Sequence, residues 1–339
     1  MKDKILDVLR RQKGFVSGET LSGQLGVSRS MIWKVVKTLQ QEGYPIEAIT
    51  RRGYRLTGEP DILSETEMKR ILDDSSLKAA FPAAFFQTQT DSTNLMARRA
   101  ADNGAPNGSI FLAEEQTGGK GRRGRSWNSS KSQDLTFSLL FRPDAEPAGL
   151  APVTLFAGLC TAAALNRLTG GDGSVPAQRE QPDYGIKWPN DIVAAASGRK
   201  LGGLLTELIV EENRVRALII GIGININTTE FPADISRTAT SLWLEQNKTY
   251  RRLDVLRFIL SEIAGRLPQI YNPESWLPEY RHLCLTLGRE VRVIGQNGDF
   301  TGKALDVDDD GELLVETQNG GRQTVRSGEV SVRGLFGYL

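Results

Sequence analysis

Histidine is almost missing: His282 is the single one in 339 residues, and two cysteines, Cys160 and Cys284, accompany it. A Ser–His or Cys–His nucleophile pair would have to use that one imidazole, and a zinc cluster has too few ligands. Both cysteines stand in apolar surroundings, which reads as reduced core thiols of a cytoplasmic protein rather than a disulfide framework. No apolar run reaches the ~20 residues of a membrane helix. Met1-Lys2-Asp3-Lys4 opens an amphipathic helix, not a signal peptide. A Walker A loop is absent as well, since no Gly-Lys-Ser/Thr stands at the end of a glycine loop. Chemistry in this chain is therefore expected to run without a covalent protein intermediate.

What is present is uneven charge. Residues 1–58 hold 11 Lys/Arg and 5 Asp/Glu, a net of +6, and the rest carries 31 against 36, a net of −5. A small basic head on an acidic body points to nucleic acid as the partner of the head. The head patterns as helices over 1–11, 18–25 and 29–41, with Ser17 and Ser28 as caps and Gly26 as a stop. A hairpin follows over 44–56, which makes a winged helix-turn-helix. In such a fold the start of the second helix of the motif enters the major groove. Arg29, Ser30 and Trp33 are the candidates for base edges, and Lys34, Lys37, Arg51 and Arg52 for phosphates. A protein-binding winged helix is the alternative.

The densest signal lies at 118–125, where four glycines and four cations fill eight consecutive positions. Glycine lets backbone approach a ligand, and clustered cations gain stability when an anion arrives. Gly119-x-Gly121-x-x-Gly124 spells a dinucleotide fingerprint, but Arg and Lys occupy the positions that a helix opening would need for packing. The segment reads as a loop ordered by an anionic ligand; a solvated basic surface loop is the plainer alternative. Upstream, Asp91-Ser92-Thr93-Asn94 precedes a helix, with hydroxyls and free N–H groups for a polar ligand group or simply for an N-cap. Downstream, Lys187 lies between Ile186 and Trp188, just before the turn Pro189-Asn190-Asp191. A lone buried ammonium is expensive unless an anion pairs with it.

The remaining texture is that of a mixed sheet. Strands are expected over 108–115, 134–142 (Leu135, Phe137 and Leu139 inward), 204–210 and 215–226, with an apolar core helix over 151–168. The polar stretch 170–183 reads as a surface excursion. Gly221 and Gly223 within a buried strand mark a close approach of something, and Asn225 is a polar group there. Helices follow over 253–269 and 275–285. From 287 on, four short strands with glycine turns read as a small β-barrel of SH3-like size.

These residues resemble the bifunctional biotin–protein ligases, also called biotin operon repressors. The resemblance rests on Gly119-Lys-Gly-Arg-Arg-Gly-Arg-Ser-Trp127, Lys187-Trp-Pro-Asn-Asp191, Gly221-Ile-Gly-Ile-Asn225 and Asp91-Ser-Thr-Asn94, in that order and spacing. It implies an α+β multidomain chain. A winged helix-turn-helix would occupy 1–58, a class II biotin/lipoyl-ligase-like mixed-sheet catalytic domain 64–285, and an SH3-like domain 286–339. It implies the activity of a biotin–[acetyl-CoA-carboxylase] ligase: biotin and ATP, with Mg²⁺, give biotinyl-5′-AMP, and biotin then moves to a lysine of the biotin carboxyl carrier protein. It further implies a ligand-promoted homodimer on operator DNA. Biotin contacts are implied at Ser92, Thr93, Asn94, Gln116, Lys120, Gly121, Arg122 and Lys187; Trp127, Gly203 and Asn225 complete the expected adenylate set. Lys120 departs from the family, which more often has Arg there, so a point charge replaces a fork.

The chemistry agrees with the residues. A carboxylate attacking an α-phosphate is one anion approaching another, so catalysis is mainly charge neutralisation and alignment. Lys187, Arg122 and Lys120 supply that charge without a histidine or cysteine. A ligand-responsive repressor with weak catalysis and a lipoate–protein ligase remain the alternatives.

Overall fold

A computed structural model describes residues 1–12, 14–170, 182–295, 298–327, 330–334 and 338. It separates into two compact units, Met1–Arg70 and Ile71–Leu339. The excursion expected over 170–183 falls almost wholly outside the described residues, as does the middle of the turn at 295–298.

In the first unit, α1 (Lys2–Arg11), α2 (Gly18–Leu25) and α3 (Arg29–Gln41) precede a hairpin of β1 (Ile46–Ile49) and β2 (Gly53–Leu56). The local signals act as read. Ser17 Oγ accepts from Thr20 N at 2.9 Å, Gly26 ends α2 at φ 66°, and Ser28 Oγ accepts from Met31 N at 3.3 Å. Ile5, Leu6, Leu9, Leu21, Ile32, Val36 and Leu39 bury one face of each helix against the hairpin. Gly53 is required where it stands. At φ 102°, a Cβ there would lie 2.0 Å from the carbonyl oxygen of Val16, which precedes α2 and pairs with Tyr54 in a single antiparallel bridge. Arg51 and Arg52 form the tip of this wing. The start of α4 (Glu65–Leu72) belongs to this unit. Its Glu67 carboxylate is completely buried and accepts from Arg10 Nη2 (2.7 Å), Arg70 Nε (3.0 Å) and Tyr44 OH (3.1 Å). The buried charge is tolerated because both carboxylate oxygens accept bonds, each of them from a guanidinium.

The second unit continues with α5 (Ser75–Ala80), β3 (Ala83–Thr90), α6 (Thr93–Asp102), β4 (Ser109–Gln116), β5 (Leu135–Phe141), α7 (Val153–Thr169), β6 (Tyr184–Lys187), β7 (Asp191–Ala194), β8 (Lys200–Glu211), β9 (Arg214–Ile224), α8 (Leu242–Gln246), α9 (Arg252–Arg266) and α10 (Leu277–Leu283). The strands form one seven-stranded sheet in the order β3-β4-β5-β9-β8-β7-β6, with β3 and β4 parallel and every other pair antiparallel. This is the expected mixed sheet. Three expectations change. Leu135, Phe137 and Leu139 are buried as expected, and the other four residues of β5 are buried with them, because β5 lies between β4 and β9 and is covered on both faces. β8 begins at Lys200, four residues before the start expected at 204. The stretch Pro147–Thr169 is long and apolar enough by length and composition to cross a bilayer, yet 78% of its apolar window is buried inside the fold, as in a core helix. It packs against α9, and Phe156 meets the Trp276 ring edge-on at 5.7 Å.

Beyond α10, β10 (Glu290–Gly295), β11 (Gly298–Val307), β12 (Leu313–Thr317), β13 (Arg322–Val325) and β14 (Val330–Gly334) form an antiparallel sheet in the order β13-β12-β11-β10-β14. β14 was not legible in the sequence. Among the described residues no ladder joins β13 to β14, so this is a five-stranded sheet rather than the closed barrel expected. It is fastened to the core by Arg281, whose Nε donates to Asp306 at 2.7 Å, and by Trp188, whose Nε1 donates to the Gly311 carbonyl at 3.0 Å.

Candidate active site and nucleic-acid interface

A cavity of about 660 Å³ opens where the ends of the core strands, the glycine–arginine loop and β14 meet. Its floor is the hairpin of β6 and β7. Lys187 ends β6, Asp191 begins β7, and the two are cross-strand partners around the turn Trp188-Pro189-Asn190. Lys187 is 6% exposed. Burial draws its pKa down to about 8; Asp191 opposes this, while Lys200, Arg333 and Arg125 add to it. Burial alone would raise the Asp191 carboxyl. Lys200, whose Nζ stands 2.7 Å from Oδ1, together with the Tyr338 hydroxyl and Lys187, outweighs that and holds it below its ordinary value.

The loop 118–127 forms the opposite wall. It is tied down at its base by Gly118 N to Asp91 O (2.8 Å), and across itself by Gly121 N to Arg125 O (2.7 Å) and Trp127 N to Gly119 O (2.8 Å). Gly119 admits that crossing, since a Cβ would lie 2.4 Å from the Trp127 carbonyl oxygen. Arg122 is the loop's anchor. Its Nη1 donates to Asn190 Oδ1 at 2.9 Å and its Nη2 to the Ser327 carbonyl, and burial beside Arg123 and Arg125 lowers its pKa. Lys120, Gly121 and Trp127 line the cavity with it.

The third wall is the start of α6. Ser92, Thr93 and Asn94 are buried and line the cavity, as does Gln116. Gln116 Oε1 accepts from Thr93 N (2.8 Å) and Thr93 Oγ1 (3.2 Å), which fixes the amide orientation. Asn94 is saturated by protein: Ser138 Oγ donates to its Oδ1 at 2.7 Å, and its Nδ2 donates to Glu207 Oε2 at 2.8 Å. Ser92 stands at the N-cap position but makes no capping bond, so its hydroxyl is not used up as the capping alternative would require. Below it, the Asp91 carboxylate is gripped by Arg99 at 2.7 and 2.8 Å and held well under its ordinary pKa.

The glycines of β9 have a specific reason. A Cβ on Gly221 would lie 2.3 Å from Asn94 Oδ1, and one on Gly223 would lie 2.5 Å from the Trp127 ring. What approaches that strand is the site's own side chains, with Gly203 of β8 beside them on the wall. Asn225 is the exception among the expected binding residues. It does not line the cavity; its Nδ2 donates to the Thr240 carbonyl at 2.9 Å and its N–H to Leu201 O at 2.9 Å. Sequence reasoning omitted Asp191, Asn190, Lys200 and Tyr338. The first two were within the quoted motif, and an acid and a base flanking a three-residue turn is the signal that would have paired Lys187 with Asp191. Nothing local marks the other two.

On the first unit, Arg29, Ser30, Trp33, Lys34, Lys37, Arg51 and Arg52 are all exposed. Trp33, 53% exposed, and Met31, 47%, are large apolar groups on the outer face of α3. Arg52 and Arg55 lie over the Phe15 ring at 4.5 and 4.8 Å, which stiffens the base of the wing.

Comparison with known proteins places this architecture. The Biotin/lipoate A/B protein ligase family matches residues 86–225, an HTH domain matches 2–55, and the Biotin protein ligase C terminal domain matches 286–333. The class is thus that of acyl–protein ligases of the biotin and lipoate type, here carrying a helix-turn-helix. A bifunctional ligase/repressor BirA of Bacillus spizizenii is 37% identical over 311 residues, 90% of each chain. That of Escherichia coli is 28% identical over 94% of this chain and 93% of its own. The biotin protein ligase of Aquifex aeolicus, solved with biotin and ATP, superposes with a TM-score of 0.61 at 30% identity, over 75% of this chain and 100% of its own. The chain belongs to the family of bifunctional biotin–protein ligases and repressors.

Proposed function

We propose that the chain condenses biotin with ATP to biotinyl-5′-AMP and pyrophosphate, and then transfers the biotinyl group to a lysine of a biotin carboxyl carrier protein. In the first step a biotin carboxylate oxygen attacks the α-phosphorus and the bond to pyrophosphate breaks. In the second an amine nitrogen attacks the acyl carbon and AMP leaves. The observation that carries this reading is Lys187, a buried ammonium on the cavity floor facing a loop that brings Arg122 and Lys120 from the other side. These three cations neutralise the oxygens that must be forced together. Ser92, Thr93 and Gln116 hold the polar ring of biotin, Asn94 is positioned by Ser138 and Glu207 beside them, and Trp127, Gly121 and Gly203 shape the nucleotide end. Magnesium enters with ATP. No group of three or more His, Cys, Asp or Glu side chains is placed to hold a metal among the described residues, so the phosphates would be its main ligands.

The domains of this reading are 1–58, 64–285 and 286–339, the last a small SH3-like domain built on the five-stranded antiparallel sheet. The head binds operator DNA of the biotin biosynthesis genes through Arg29, Ser30 and Trp33 on bases and Lys34, Lys37, Arg51 and Arg52 on phosphates. Biotinyl-5′-AMP acts as corepressor by favouring a homodimer that sets two heads on a palindrome. Incubation with biotin, ATP and a biotin acceptor domain tests the enzyme: the acceptor gains the mass of one biotinyl group, and Lys187→Met abolishes the gain. An acceptor left unmodified by the wild-type chain would sink the reading. Footprinting with and without biotin and ATP tests the head, and equal occupancy refutes the coupling.

A further inference from the structure

The ammonium on which the proposed chemistry turns already has a partner, and the partner is not an anion. Lys187 Nζ donates to the Tyr338 carbonyl and stands 3.6 Å from the centre of the Tyr338 ring. The Tyr338 hydroxyl donates to Asp191 Oδ2 at 2.5 Å, while the other carboxylate oxygen takes Lys200. One residue therefore covers both Lys187 and Asp191, the cross-strand partners that end β6 and begin β7, and it lies in the lining of the cavity itself.

A carbonyl oxygen and a ring face are neutral stand-ins for an anion. They offer partial negative charge to a desolvated cation but do not cancel it. An anionic oxygen makes a shorter and stronger bond to the same ammonium. Both cannot occupy the same approach to Lys187. We propose that Tyr338 is an internal occupant of the anion site, seated on Lys187 and Asp191, and that the substrate anion must displace it. The inference rests on the ligase reading above. It makes Tyr338 a competitor that raises the substrate concentration needed for half-saturation without taking part in bond making. Either the carboxylate of biotin or the α-phosphate of ATP could be the displacing group; the chemistry at Lys187 is the same.

Steady-state adenylate formation by wild type, Tyr338→Phe and Tyr338→Ala separates the possibilities, with biotin varied at saturating ATP and ATP varied at saturating biotin. Removing the ring lowers the KM of the displacing substrate by about five- to thirtyfold, the range of a desolvated cation–π contact, with kcat within about twofold of wild type. Tyr338→Phe keeps the ring and loses the grip on Asp191, so its KM falls between the two. The arm in which KM drops identifies the displacing anion. A residue that merely supports the site would show the reverse, a higher KM. A KM unchanged or raised in both arms overturns the inference. As a second readout, 3-fluorotyrosine at position 338 gives a fluorine resonance that shifts when biotin and ATP are added to the otherwise wild-type chain; a resonance that stays put also overturns it. If wild type forms no adenylate at all, the ligase reading fails instead, and the two failures are told apart by that one control.

Discussion

Raising the pH separates two consequences of burying Lys187. The ammonium is 6% exposed, and its pKa falls from 10.5 to about 8, with burial the largest cause. If this cation receives the anionic oxygens, kcat/KM for adenylate formation follows its protonation in the free enzyme. The rate constant is then flat up to about pH 7 and drops about tenfold per unit above about pH 8. Stability moves the opposite way. The folded pKa lies below the unfolded one, so between about pH 8 and 10.5 the unfolded chain binds more protons, and the free energy of unfolding rises with pH through that window. At about 1.36 kcal/mol per unit the full rise from this one group is about 3 kcal/mol. The assay is single-turnover adenylate formation at subsaturating biotin from about pH 6.5 to 9.5. It omits the acceptor, whose own lysine would titrate. Asp191 is the neighbour that raises the Lys187 pKa, so Asp191→Asn moves the falling limb to lower pH. Lys187→Arg removes the limb from the accessible range. A wild-type rate constant that stays within about twofold from pH 7 to 9.5 refutes the argument, because about one proton in ten would remain at pH 9.

Two further outcomes follow from the loop and the strand behind it. Arg122→Gly deletes the bonds to Asn190 and Ser327 and leaves adenylate formation in place. Each bond to a charged donor is worth about 1.5–3 kcal/mol, so with both lost release of biotinyl-5′-AMP speeds up by about two to four orders of magnitude in a filter-binding chase; wild-type retention would rule the loop's role out. Gly223→Ala sets a methyl 2.5 Å from the Trp127 ring. Relief of that overlap costs about 1–3 kcal/mol, read as a lower melting temperature and an affinity for the adenylate about five- to a hundredfold weaker by calorimetry, and wild-type values for both would show that the strand yields freely.

The parts of this molecule that were legible in the sequence are those whose physics is local. Ser17, Gly26 and Ser28 mark helix ends because a cap bonds within four residues of itself. The buried Lys187 was legible because Ile186 and Trp188 bracket it on one short strand. The head's surface was legible because α3 alternates Ile32, Val36 and Leu39 with exposed cations. The rest depended on distance along the chain. Tyr338 meets Lys187 across 151 residues and Asn94 meets Glu207 across 113, and no spacing rule spans such gaps. Asn225 looked like a ligand group because it follows two glycines at a strand end, but its amide was claimed by Thr240, fifteen residues on. Leu135, Phe137 and Leu139 were legible as inward residues, but the burial of those between them was not, because a strand covered on both faces has no outward half to reveal.

The charge around the cavity bears on how the intermediate is kept. Lys120, Arg122, Arg123, Arg125, Lys187, Lys200 and Arg333 line it against two carboxylates, Asp191 and Asp234. Such an excess is relieved by ATP, which brings several negative charges, far better than by biotinyl-5′-AMP, whose acyl-phosphate linkage keeps a single charge after pyrophosphate departs. Net charge therefore favours the substrates over the intermediate and cannot be what retains the intermediate. Retention then falls to short-range contacts, the Arg122 bonds to Asn190 and Ser327 that close the loop. Salt distinguishes the two kinds of force, because long-range attraction is screened within about 10 Å at 0.1 M and about 3 Å at 1 M, while buried bonds are screened much less. Raising ionic strength across that range increases the KM for ATP steeply and leaves the dissociation rate of biotinyl-5′-AMP within about threefold. If the two respond to salt with equal slope, the intermediate is held by the basin's net charge after all, and the loop is no more than a cover.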